Sequence, residues 1–174
     1  MTTLAAPAAR SKPRFDNGPI LKSIITIAGA LMTAAIAMAV FKFLAGLAPD
    51  DGRYRNIAIA IHIVTVLPCV PLGAYLLLST KGTKLHKMLG KIWVSLMVVT
   101  AIAITFVRGG TDFSWIHIFV PITLLGAWQV VRTARKGDIV SHRQNITRMY
   151  LGALMIPGFF SFLPTRLMGM WLFG

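Results

Sequence analysis

Leu85-His86-Lys87-Met88-Leu89-Gly90-Lys91-Ile92-Trp93 opens an apolar run that reaches Val107, and the reading of this stretch decides the fold. A histidine and two lysines stand at the mouth of the run, with Lys84 just before it. Gly90 falls one helical turn after His86, on the same face. With no Cβ it predicts an open notch beside the imidazole, where a flat ligand or a neighbouring helix can approach. Each of the next two apolar runs also carries a histidine near its start: His117 and His142.

The chain has 174 residues, 56% of them hydrophobic, which is too apolar for a soluble domain of this size. Its uncharged runs explain the excess: Ser23–Phe41, Asn56–Thr80, Ile92–Val107, Phe113–Val131 and the shorter Met149–Leu163. A membrane-crossing helix needs about 20 apolar residues. The two shorter runs reach that length by taking in Lys91 or Arg148, whose long side chains snorkel to the headgroups. The predicted class is all-α, a polytopic membrane helical bundle with five transmembrane helices over about 20–47, 56–80, 85–107, 113–131 and 142–163. Residues 1–18 read as a flexible cytoplasmic tail and residues 19–174 as a single transmembrane domain.

A net charge of +13 in a soluble chain would suggest nucleic acid. No base-reading motif accompanies it, and the positive-inside rule accounts for it better. With the N-terminus inside, 13 basic residues fall on the inner side, among them Lys81, Lys84, Lys87, Lys91, Arg132, Arg135, Lys136, Arg143 and Arg148. Only 4, Arg53, Arg55, Arg108 and Arg166, fall outside. The sequence therefore predicts N-terminus in, C-terminus out, in the inner membrane of a bacterium. The single cysteine, Cys69, excludes a disulfide framework and reads as a small buried residue.

Local signals fill in the chain. Ala30, Ala34 and Ala37 form a small-residue stripe that permits close helix packing. Lys42 is expected to snorkel. Pro68 and Pro71 predict a kink in the second span. Thr83 reads as an N-cap, Thr111 or Asp112 as another, and Ser141-His142-Arg143-Gln144 as a capping box. Trp93 and Trp128 on one side, with Trp115 and Trp171 on the other, read as an aromatic belt. Leu167–Gly174 reads as an interfacial tail.

The chemistry is narrowed by what the sequence lacks. Its 5 acidic residues are all Asp, and all lie outside the apolar runs. Proton-coupled transport usually needs an intramembrane carboxylate. No Gly-x-Ser-x-Gly elbow, phosphate loop or His-Glu-x-x-His occurs, so hydrolysis and phosphoryl transfer find no candidates. The methionines read as core filler.

Four histidines remain. The topology sorts them into an outer pair, His62 and His117, and an inner pair, His86 and His142, each drawn from two helices. Bis-histidine haem ligation needs two imidazoles on opposite faces of the iron. Arginine suits the anionic propionates, and Arg53, Arg55, Arg108 and Arg166 stand outside, Lys87, Arg143 and Arg148 inside. Asp138 is placed to orient the His142 ring. Set against this, His86 and His142 sit in first helical turns, where a histidine often only bonds a headgroup or loop carbonyl. His62 can equally hydrogen-bond another helix.

The pieces His86-x-x-Leu89-Gly90-Lys91, Trp115-Ile116-His117-Ile118, Arg132 through Gly137-Asp138, Ser141-His142-Arg143 and Pro164-x-Arg166 resemble a family of small bacterial predicted membrane proteins that carries only a domain-of-unknown-function name. The likeness covers about Asn56 to Arg166 and implies no activity. The layout is more loosely similar to the four-helix core of cytochrome b561 and ferric-reductase-like membrane cytochromes. That similarity implies haem b held between histidines on neighbouring helices. The histidine spacing here departs from theirs, since His86 and His142 lie at helix ends.

Two readings follow. In the first, one or two haem b groups carry electrons between a quinol or other membrane donor and an acceptor, with a quinone site as a further expectation. In the second, the chain is a cofactor-free accessory or assembly subunit of a larger respiratory or photosynthetic membrane complex. A small transporter is a weaker third.

Overall fold

A computed structural model describes residues 18–107 and 115–174. The expected cytoplasmic tail, Arg108 and the cap at Thr111 or Asp112 lie outside the described residues, as does the side chain of Trp115. The described elements are all helical: α1 (Pro19–Leu44), α2 (Ile57–Val66), α3 (Cys69–Leu78), α4 (Lys84–Thr105), α5 (Phe119–Lys136), α6 (Ile139–Arg148), α7 (Ile156–Phe160) and α8 (Leu167–Phe173). Short 3₁₀ turns at Arg53–Arg55 and Trp115–Ile118 precede α2 and α5, and a π-helical stretch, Met149–Met155, joins α6 to α7. Among the described residues, three helical segments are long and apolar enough to cross a membrane: Pro19–Leu44, Ile57–Leu78 and Lys84–Thr105.

The bundle has two chemically distinct ends. At the arginine end, Lys42 Nζ donates to the Leu172 and Gly174 carbonyls, and Arg53 Nη1 donates to the Thr165 carbonyl. At the lysine end, His86 lies within electrostatic reach of His142 and Lys81. Along the rods between these ends, α4 packs on α2 and α5, α5 on α6, and α1 on α3 and α8.

The expected break in the second rod is present. Proline has no N–H to donate, and α2 stops at Val66 before α3 starts at Cys69, with Pro68 between them and Pro71 in the first turn of α3. Two side chains reach the backbone just past the break. Trp93 Nε1 donates to the Cys69 carbonyl at 2.9 Å, and Tyr150 Oη to the Val70 carbonyl at 3.2 Å. Both side chains close on Gly73, where a Cβ would come within 2.5 Å of the Tyr150 ring and 2.8 Å of Trp93 Nε1. Trp93 is therefore a core residue, 1% exposed, and not the belt residue its position suggests. The surrounding core joins Ile25, Leu76, Leu77, Met97, Ile146 and Leu154.

A smaller core lies at the arginine end. Trp171 stacks on Phe43 with ring centroids 4.1 Å apart, and Ala39 and Met168 pack with it. Trp171, like Trp93, is thus buried, and Leu167–Gly174 is a docked helix where an interfacial tail was expected. Lys42 does not snorkel: its ammonium holds the last carbonyls of α8, where a cation also suits the helix dipole. Trp128 keeps its surface position, with the Arg132 guanidinium 4.9 Å over its ring.

Other local expectations divide. Thr83 caps α4 by accepting from the His86 N–H at 3.0 Å. The capping box at Ser141 does not form, because α6 starts earlier. Asp138 is its N-cap and accepts from the Ser141 N–H at 3.0 Å. The Ala30, Ala34 and Ala37 stripe is exposed; α1 buries Ile25, Gly29 and Ala39 instead. Large apolar side chains such as Ile27, Leu31, Phe41, Val64 and Ile102 also point outward, which is the surface a bilayer solvates.

Gly73→Ala is expected to destabilise the protein by about 1–3 kcal/mol, because neither the Tyr150 ring nor the Trp93 indole has room to retreat. Gly90→Ala, where no atom lies within 4 Å of an added Cβ, is expected to raise stability by about 0.5–1 kcal/mol. Thermal melts of both variants in one detergent check the contrast.

Candidate functional site

His62 and His117 line the same cavity, of about 650 Å³, toward the arginine end. That volume falls within the roughly 300–1,000 Å³ range of ligand pockets. Its wall comes from α1 to α5, the π-helical stretch and α7, with the start of α8. Most of it is apolar, including Met32, Ile63, Met97 and Leu154, and the polar groups are few: His62, Thr100, His117, Thr123, Ser161, Arg53 and Arg166.

Each histidine is held by a neighbouring element. His62 projects from α2 toward α4, where its Nδ1 lies 2.8 Å from Thr100 Oγ1 and 3.3 Å from the Thr100 carbonyl. Thr100 is itself only 5% exposed. A carbonyl can only accept, so the bond from Nδ1 to that oxygen favours the tautomer with hydrogen on Nδ1 and the lone pair on Nε2. His117 sits in the 3₁₀ turn before α5 and reaches back to the end of α4. Its Nε2 is 3.1 Å from both the Ile104 and the Val107 carbonyls. Here the hydrogen belongs on Nε2 and the lone pair on Nδ1. Both rings are thus oriented by backbone acceptors, His62 through Nδ1 and His117 through Nε2.

The arginines separate by position. Arg53 and Arg166 line the cavity. Arg53 is also paired with Asp51. Burial pulls the Asp51 carboxyl up, but hydrogen bonds from the Arg53 backbone and side chain, together with its charge, carry it below the ordinary 3.8. Arg55 is turned away from the cavity toward Asp50, at 3.3 Å. Arg143 and Arg148 are at the far end of the bundle, on α6, and do not border it.

His86 and His142 lie at the lysine end, close enough for their charges to interact, and neither borders that cavity. His142 Nδ1 donates to the Val130 carbonyl of α5 at 3.0 Å. That carbonyl orients the ring; Asp138, expected in the role, is engaged in capping. The His86 Nδ1 atom is buried with no partner among the described residues.

Sequence reasoning missed two parts of the site. Thr100 was readable as a polar residue deep in an apolar run. The π-helical stretch was not: Met-Tyr-Leu-Gly-Ala-Leu-Met has no feature that marks one. Two of its residues, Ala153 and Leu154, face the cavity, and such segments are frequent beside functional sites.

The sequence model of a family described as "Predicted membrane protein (DUF2306)" matches residues 59–169, which takes in all four histidines. No curated protein and no solved structure matches the chain.

The capping carboxylate ties α6, and through it His142, to pH. Hydrogen bonds from Ser141 hold the Asp138 carboxyl below its ordinary 3.8. A depressed folded-state value means stabilisation that is full above the ordinary value and is lost as pH falls through the folded one. Asp138→Asn keeps an N-cap acceptor without the titration. Its thermal midpoint is expected to fall less than that of the natural chain when pH drops from about 5 to about 3.

Proposed function

This chain belongs to that family of predicted membrane proteins, and from this premise we propose that it is a membrane cytochrome, with one haem b held between His62 and His117. One observation carries the reading: two imidazoles from separate helices border a single large, mostly apolar cavity that also has two arginines in its wall. The residues fit the group. Both rings are oriented by backbone acceptors from α4 and the residues just after it, and guanidinium groups suit propionate carboxylates. The haem would supply one-electron chemistry. The chain's own part is to orient the two rings, exclude water with Met32, Met97 and Leu154, and offer positive charge at the arginine end.

The proposal extends to topology. Besides the three long apolar helices, the Trp115–Lys136 and Ile139–Phe160 rods complete five crossings, with the lysine end in the bacterial cytoplasm. The donor is a quinol or another membrane carrier. A second reading has one observation of its own. The exposed Ala30, Ala34 and Ala37 stripe gives α1 a face on which another helix can pack, as an accessory subunit of a larger complex would need.

Purified with haem supplied during expression, the protein is expected to show a Soret band that shifts on dithionite reduction, at one haem per chain. His62→Ala and His117→Ala should each abolish the six-coordinate spectrum. Thr100→Val should retain haem and shift its midpoint potential, since it removes the hydroxyl beside His62 Nδ1. A colourless, folded preparation would overturn the haem reading and favour the accessory one.

A further inference from the structure

Three basic side chains stand at the arginine end, and each is engaged differently. The Lys42 ammonium donates to the Leu172 and Gly174 carbonyls at the close of α8, at 3.1 and 2.8 Å. Arg53 is paired with Asp51, and its guanidinium also donates to the Thr165 carbonyl and to Met170 Sδ. Arg166 borders the cavity as Arg53 does, yet its guanidinium has no acceptor among the described residues.

Charge therefore separates the two arginines of the cavity wall. The Asp51 carboxylate offsets the charge of Arg53 at contact distance. No carboxylate stands among the residues that line the cavity, so the uncompensated positive charge of that wall belongs to Arg166. Arg53 must give up an existing ion pair before its fork can take a second carboxylate, whereas the fork of Arg166 is open.

Arg166 is placed by α8. It is the residue before that helix, and Leu167 and Met168 continue from it along the cavity wall. An isolated helix of 7 residues is not stable, so contacts with neighbours must hold α8 in place. Trp171 stacks on Phe43 of α1. The Gly169 N–H donates to the Ser161 carbonyl at 3.2 Å, and an added Cβ at Gly169 would overlap the Leu163 carbonyl oxygen. Lys42 ties down the far end. The helix is thus a short cap, with an open cation at its base and its tip fastened to α1.

We propose that α8 is a cap on the haem cavity and that Arg166, not Arg53, recognises the carboxylate of the group held there. The inference rests on the haem reading and adds to it which cation selects the anionic end. A propionate bound to Arg166 joins the base of α8 to the ligand, so occupancy and docking of the cap stabilise one another.

The test compares haem b with its dimethyl ester, which keeps the ring and the iron and has no carboxylate. The full chain in detergent is loaded with either form. Retention is followed by the Soret band during transfer to excess apomyoglobin, and amide deuterium uptake is measured over residues 167–173. The natural chain is expected to retain haem b about tenfold better than the ester, the size of one charge-assisted contact. Haem b should also slow exchange across α8 severalfold more than the ester does. Arg166→Gln, a change at an exposed side chain, should bring the two forms to parity and erase the difference in exchange. Arg53→Gln with Asp51→Asn removes the ion pair at constant net charge and should keep the preference. A preference that survives Arg166→Gln overturns the proposal, as does its loss in the paired variant or equal exchange with both forms. If the natural chain retains both forms equally, this inference alone falls and the haem reading stands. If it retains neither, both fall together.

Discussion

Two carbonyls just beyond a proline break, those of Cys69 and Val70, are held by the Trp93 indole and the Tyr150 hydroxyl, and the rest of the bundle depends on this contact. Within a bilayer no water reaches an unpaired backbone group, so irregular backbone survives only where protein satisfies it. Trp93 comes from α4 and Tyr150 from the π-helical stretch, so the two bonds also pin three rods to one level. Gly73 makes that possible, because both rings occupy the space a side chain would take. Apolar side chains gain little by leaving lipid for one another, and such polar ties and close approaches fix how membrane helices pack.

The broken rod has a second consequence. Residues on both sides of the break, Ile59, His62 and Ile63 before it and Leu67 and Val70 within or after it, line the 650 Å³ cavity. The π-helical stretch and α7 supply Ala153, Leu154, Pro157 and Gly158 to the same cavity. Straight helices pack with few voids larger than a water molecule. Here two irregular helices border the void, and the bending that must be stabilised at Trp93 and Tyr150 also opens the room beside His62.

How much of this was legible follows from where the causes lie. The three long apolar helices, the break at Pro68 and Pro71 and the cap at Thr83 were readable, because each rests on a local property: length without charge, a missing N–H, a hydroxyl three residues before a donor. The sorting of His62 with His117, apart from His86 and His142, was readable from alternation alone. What escaped the sequence was decided by partners distant in the chain. Trp93 and Trp171 look like interfacial belt residues until Cys69 and Phe43 come to meet them. Lys42 looks like a snorkelling lysine until a helix 130 residues later presents its carbonyls. Ala30, Ala34 and Ala37 look like a packing stripe, yet the chain packs α1 through the neighbouring face. The cap of α6 was misread for a local reason: Asp138 and Ser141 both qualify, and nothing short of the backbone path chooses between them.

The two histidine pairs separate most clearly in what surrounds their rings. In the arginine-end pair, His62 Nδ1 bonds Thr100 and His117 Nε2 bonds the Ile104 carbonyl, and all four residues border the shared cavity. A histidine kept only to join helices gains nothing from bordering a void, since the void removes packing contacts from its other edge. At the lysine end His142 is tied to the Val130 carbonyl, and His86 Nδ1 is buried with no partner among the described residues. Arginine's planar fork matches a fixed carboxylate, whereas lysine is a mobile point charge.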